Sequence, residues 1–145
     1  MLKIINSAVL AACAVLLAAP VSAETLAEKE AHAVEMRNME SAVANVKKQC
    51  GADIPLTWDW NGFTVEELND RGASTFCEAT YTALAEICAG SPDGLKAVQN
   101  SVKSVMCVKA SPRRIELKNG QLIFGIDYDA ANNEEAVRTF LKNTI

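Results

Sequence analysis

The chain has 145 residues, half of them hydrophobic, with five cysteines, one histidine and a net charge of −4. That length and apolar content suit one folded domain. The acidic balance argues against general nucleic-acid affinity, and a lone histidine leaves little for hydrolytic triads or acid–base chemistry near neutral pH.

The N-terminus reads as an export signal. Lys3 is the only charge in the first 23 residues, and the run from Ala8 to Ala19 is almost wholly apolar. Such a run matches a signal-peptide core and is short for a bilayer span. Pro20 breaks it, and Val21-Ser22-Ala23 supplies the small residues that signal peptidase accepts, so cleavage is expected between Ala23 and Glu24. A second reading takes Leu10-Ala11-Ala12-Cys13 as a lipoprotein box, with Cys13 lipidated and membrane-held. The apolar run continues past Cys13 to Leu17, where a polar tether normally follows a lipid anchor, and this favours soluble export. Removing residues 1–23 leaves a single domain over 24–145, with 13 Lys plus Arg, 18 Asp plus Glu and a net charge of −5. The expected location is the periplasm or the extracellular space.

Residues 24–49 contain no Gly or Pro and read as one long helix. Met36, Met39, Val43, Val46 and Cys50 recur at spacings of 3 and 4, which places them on one face, and Gly51 supplies the stop. From 54 to 60 the period changes to two. Ile54, Leu56, Trp58 and Trp60 alternate with Pro55, Thr57 and Asp59, as in an extended segment with one apolar face. Pro55 cannot donate to a ladder, so this is an edge strand or an extended loop.

Thr64 and Glu67 form a capping box, with Phe63 and Leu68 as its hydrophobic staple, and Gly72 closes the short helix. Thr75 and Glu78 repeat the box pattern before a helix to about Ala89, whose seam is Cys77, Tyr81, Leu84 and Cys88. Ser91-Pro92 is an N-cap followed by proline at the first helical position, and the next helix carries Leu95, Val98 and Val102. Val105 to Lys109 reads as a strand, turned at Ser111-Pro112. Asn119-Gly120 between Arg113–Lys118 and Gln121–Tyr128 is a strong hairpin signal, pairing Leu117 with Leu122 and Ile115 with Phe124. A last helix is expected from about Asn132, with Glu135 in the box position and Val137, Phe140 and Leu141 buried.

Helices precede strands, so the expected class is α+β. The expected architecture is a small three-stranded antiparallel sheet, with its C-terminal hairpin at 113–128, packed against four to five helices and closed by two disulfides. Four cysteines remain after the signal: Cys50, Cys77, Cys88 and Cys107. Cys77 and Cys88 share a helix about three turns apart, roughly 16 Å, which is beyond disulfide reach. Two pairings remain: Cys50–Cys88 with Cys77–Cys107, or Cys50–Cys77 with Cys88–Cys107. A helix returning antiparallel after Pro92 favours the first. No Cys-x-x-Cys is present, so the cysteines read as structural.

No motif names a chemistry, and no cofactor, metal or catalytic residue is expected. His32 lies in a charged early turn of the first helix. Trp58, Asp59 and Trp60 are the candidate ligand-binding cluster, since aromatic faces beside a carboxylate suit a sugar ring or a partner peptide. Asp127, Asp129, Asn132, Glu134 and Glu135 are rich in oxygen but lack the glycine and spacing of a calcium loop. Lys109, Arg113, Arg114 and Lys118 form a basic segment suited to an acidic partner, or to guarding a sheet edge. The leading expectation is an exported, non-enzymatic binding protein whose partner is another protein, such as an envelope partner, an inhibitor or a toxin neutraliser. A carrier of a small apolar or glycan ligand is the alternative. A hydrolase using Asp59 with Asp127 or Asp129 is the third reading. Nucleic acid is not an expected partner, and a membrane is one only through a lipidated Cys13.

Overall fold

A computed structural model describes residues 22–145. The apolar run from Ala8 and the Cys13 box lie outside the described residues. Among the described residues five helices and four strands follow in the order α1 (Leu26–Cys50), β1 (Leu56–Asp59), α2 (Val65–Arg71), α3 (Ala73–Gly90), α4 (Pro92–Ser101), β2 (Ser104–Lys109), β3 (Ile115–Lys118), β4 (Gln121–Ile126) and α5 (Asn133–Thr144). The class is α+β.

The sheet departs from the sequence expectation. It has four strands in the order β1-β2-β4-β3, and only β3 and β4 are antiparallel. The extended segment at 56–59 joins as an edge strand parallel to β2. The hairpin forms with Leu117 opposite Leu122 and Ile115 opposite Phe124, and Asn119 and Gly120 take the positive φ values (52° and 79°) of a tight two-residue turn. The chain skips a place after β2, so that β4 and not β3 lies beside it. Composition explains the swap. β4 buries Leu122, Phe124, Gly125 and Ile126, whereas Glu116 and Lys118 of β3 are exposed, which suits an edge.

Val105, Cys107, Leu122 and Phe124 face the helices and are fully buried. α3 is the hub of the helical layer, packing on α1, α4, α5 and β4. Two disulfides bind it to its neighbours. Cys50–Cys88 joins α1 to α3 with Cα atoms 5.2 Å apart, and Cys77–Cys107 joins α3 to β2 at 6.1 Å. Tyr81 donates from its buried hydroxyl to the Ile54 carbonyl at 3.0 Å, and burial pushes its phenol well above the ordinary value. Gln99 donates to the Cys50 carbonyl at 2.7 Å, satisfying the end of α1.

Three local expectations are corrected. α3 starts at Ala73, not at a Thr75 box, and Gly72 gives it no side-chain cap. The missing partner comes from another helix: the carboxylate of Glu35 on α1, only 2% exposed, accepts from the Ser74 N–H. α5 likewise lacks the Glu135 box. Asn132 is left-handed without a side-chain cap, and Glu135 binds Arg138 at 2.5 Å. Phe140 is half-buried, while Val137 and Leu141 are fully buried. The Thr64–Glu67 box forms as read.

Candidate functional site

α1 and β1 run side by side in opposite directions. Met36, Met39, Val43 and Lys47 of α1 line a shared groove with Leu56 and Trp58 of β1 and with Pro55 just before that strand. Beyond it, His32 stacks on Trp60. The match is metric. Every fourth residue of a helix advances about 6 Å, and every second residue of a strand about 6.7 Å, so the two apolar patterns stay nearly in step.

The groove has a volume of about 400 Å³ and is lined chiefly by Met36, Met39, Val43, Leu56 and Trp58, with Glu40 and Lys47 on its rim. Met36 corrects the simple helical stripe: it is 57% exposed, whereas Met39 is buried. It lies about 60° around the helix from Met39, on the side that lines the groove. β1 is the last strand, so nothing among the described residues covers that side.

The aromatic cluster closes one end. Trp58 and Trp60 stack with ring centres 4.6 Å apart, and His32 covers the other side of Trp60 at 4.0 Å. Phe63 meets both tryptophans edge-on. Glu24 pairs with His32, fastening the chain ahead of α1. Trp60 is thus enclosed on two sides, while Trp58 borders the groove. The Trp58 Nε1–H is buried without an acceptor among the described residues. Asp59 accepts from the Asn61 N–H at 3.1 Å and from its side-chain amide at 2.7 Å, so it shapes the turn after β1.

The other candidates fall elsewhere. Asp127 and Asp129 border a cleft of about 180 Å³ at the ends of β2 and β4, with Glu67, Arg71, Lys109 and Tyr128; Asp59 is not among its lining residues. Most charges there are paired with each other. Lys109 binds both Glu67 oxygens at 2.6 Å, and Arg71 reaches Asp129 at 3.3 Å while lying over the Tyr128 ring at 4.6 Å. Burial, with the negative charges of Glu67 and Glu35, pushes the Tyr128 phenol up to about 12. Arg113 donates to the Ala131 carbonyl at 2.7 Å and to Asn133 at 2.9 Å, so part of the basic segment braces the approach to α5. Among the described residues no group of three or more His, Cys, Asp or Glu is placed to hold a metal ion, and no helix is long and apolar enough to cross a membrane.

The sequence pointed to Trp58, Asp59 and Trp60 but missed Met36, Val43 and Glu40 as groove residues. Their signal was a helical stripe wider than one sheet edge can cover. No protein-family model, no curated protein and no solved structure is significantly similar to the chain.

Proposed function

We propose that this chain is an exported, disulfide-closed binding protein that acts without catalysis and recognises another protein through the groove between α1 and β1. The observation that carries the reading is the groove itself: two methionines, a valine, a leucine and a tryptophan lie side by side at a sheet edge. Methionines lend such a surface adaptable packing, and tryptophan is a frequent anchor of protein interfaces. The two disulfides fit an oxidising compartment, and the N-terminal signal fits export into the periplasm or beyond.

The test is photo-crosslinking in the cells that produce the protein. A photoreactive residue replaces Met36, and a control replaces Lys118 on the opposite edge of the sheet. A discrete protein adduct from position 36 and not from 118 supports the reading. An adduct of lipid or small-molecule mass supports the carrier alternative. No adduct from position 36 overturns both.

A further inference from the structure

We infer that the groove takes an extended peptide segment of its partner, added to β1 as a fifth strand of the sheet. The inference rests on the binding reading above and names the form of the ligand.

The backbone of β1 supplies the first argument. In its parallel ladder with β2, the Pro55 carbonyl accepts from Val105 N–H at 2.9 Å, and Leu56 aligns with Val105 and Trp58 with Cys107. Alternate residues of a strand turn their backbone groups to opposite sides. Residues 55, 57 and 59 therefore address β2, and the N–H and C=O groups of Leu56 and Trp58 point away from the sheet. Pro55 lacks its N–H on the paired side, so it does not blunt the free edge. β3, at the other edge, carries Glu116 and Lys118 within four residues, while β1 carries only Asp59, at its last position. Charges are a common guard against strand addition, and β1 is the less guarded edge.

The helix supplies the second argument. Met36, 57% exposed, and Val43, half-buried, lie on the face of α1 that lines the groove beside Leu56 and Trp58. β1 is an edge strand, and the groove beside it is open. One further strand would satisfy the outward backbone groups of Leu56 and Trp58. It would also place alternate side chains between Leu56 and Trp58 on one side and Met36 and Val43 on the other. A helix or a fatty ligand would fill the apolar space and leave the strand edge unpaired. Strand addition is an established mode of peptide recognition, with affinity from the main chain and specificity from alternate side-chain pockets. The ligand chemistry follows: apolar residues at two alternate positions, and a flanking Lys or Arg to meet Glu40, which has no ion-pair partner among the described residues.

The experiment uses the oxidised protein and a display library of random linear peptides. The best binder is synthesised, along with versions N-methylated at alternate backbone nitrogens. Selected peptides should share alternating apolar residues and a basic flank. The bound peptide should slow hydrogen exchange of the Leu56 and Trp58 amides. N-methylation in the register that faces β1 should weaken binding about tenfold or more, and methylation in the other register should not. Met36→Glu, at an exposed position that leaves the fold intact, should weaken binding comparably. Binders that leave the Leu56 and Trp58 amides unprotected overturn the inference, as does a library that yields none. Protection of those amides by protein concentration alone, with a dimer mass, overturns it in favour of a second copy. If position 36 still crosslinks to a protein while the β1 amides stay unprotected, the groove reading stands and only the added strand falls. If both measurements fail, both readings fall.

Discussion

Glu35 is where one helix completes another. Its carboxylate leaves α1, is buried to 2% exposure and accepts from the Ser74 N–H at the start of α3, where Gly72 offers no side-chain cap. Glu35→Ala deletes the acceptor and strands a buried donor. A lost cap costs about 1 kcal/mol, and a negative charge at a partly buried helix N-terminus is worth up to about 2 kcal/mol. The two effects overlap on one group, and the void left by the side chain adds to them, so the expected loss is about 3 kcal/mol. For a domain of this size that lowers Tm by about 12 °C. Glu35→Gln keeps an oxygen to accept the bond and loses only the charge, so about 1 kcal/mol is expected. Urea unfolding gives both values, and hydrogen exchange at Ser74 gives the local effect. A Glu35→Ala variant within about 0.5 kcal/mol of the parent, with Ser74 exchange unchanged, would show that α3 is not capped from α1.

Three further predictions concern the rest of the fold. The Lys109 ammonium, bonded to both oxygens of Glu67, holds that carboxyl below its usual range against the opposing effect of burial. A depressed folded value stabilises fully above the ordinary carboxylate pKa and is lost as pH falls through the folded one. The stability of Glu67→Gln should therefore match the parent at low pH, fall below it as pH rises through the depressed folded value, and reach its full deficit by about pH 4.3, while parallel curves throughout would refute the pairing. A Cβ at Gly125 would lie 2.7 Å from Ala110 Cβ and 3.1 Å from the Arg114 backbone nitrogen, so Gly125→Ala should cost about 1–3 kcal/mol by urea unfolding. A neutral result would mean that β4 does not pass so close to the turn before β3. Removing either disulfide by paired serine substitution opens a loop of 38 or 30 residues, and each should cost about 4 kcal/mol. A loss under about 1 kcal/mol for one pair, or peptide mapping that finds Cys50 joined to Cys77, would contradict the connectivity.

Local signals were legible where they were self-contained. The Asn119-Gly120 turn set the hairpin register, Thr64 and Glu67 capped their helix, and the Cys77, Tyr81, Leu84, Cys88 seam is buried throughout. Non-local choices were harder to read. Pro55 marked an edge but not its neighbour, so the parallel pairing of β1 with β2 stayed hidden. The order of β3 and β4 turned on which strand carries the exposed charges, a comparison that adjacency in sequence does not suggest. The false box at Thr75 failed because the cap of α3 comes from 39 residues upstream. Of the candidate site, the alternation at 54–60 showed one wall. The other wall was disguised as an ordinary core stripe, because periodicity shows which residues share a face and not how far a partner layer extends beneath them.

The overlap of the two disulfides also has a mechanical consequence. Cys50–Cys88 and Cys77–Cys107 interlock, so the shortest covalent route from Cys50 to Cys107 crosses one bond, runs back along α3 from Cys88 to Cys77 and crosses the other. That route holds 11 residues of backbone (88 − 77) in place of 57 (107 − 50), or about 40 Å in place of about 200 Å at full extension. A load on the two chain ends draws its slack from the segments before Cys50 and after Cys107. β1 lies inside the locked span and α1 outside it. Traction through the N-terminus therefore peels the Met36 wall away while the strand edge stays in place, and any grip made by the groove releases from the helix side first.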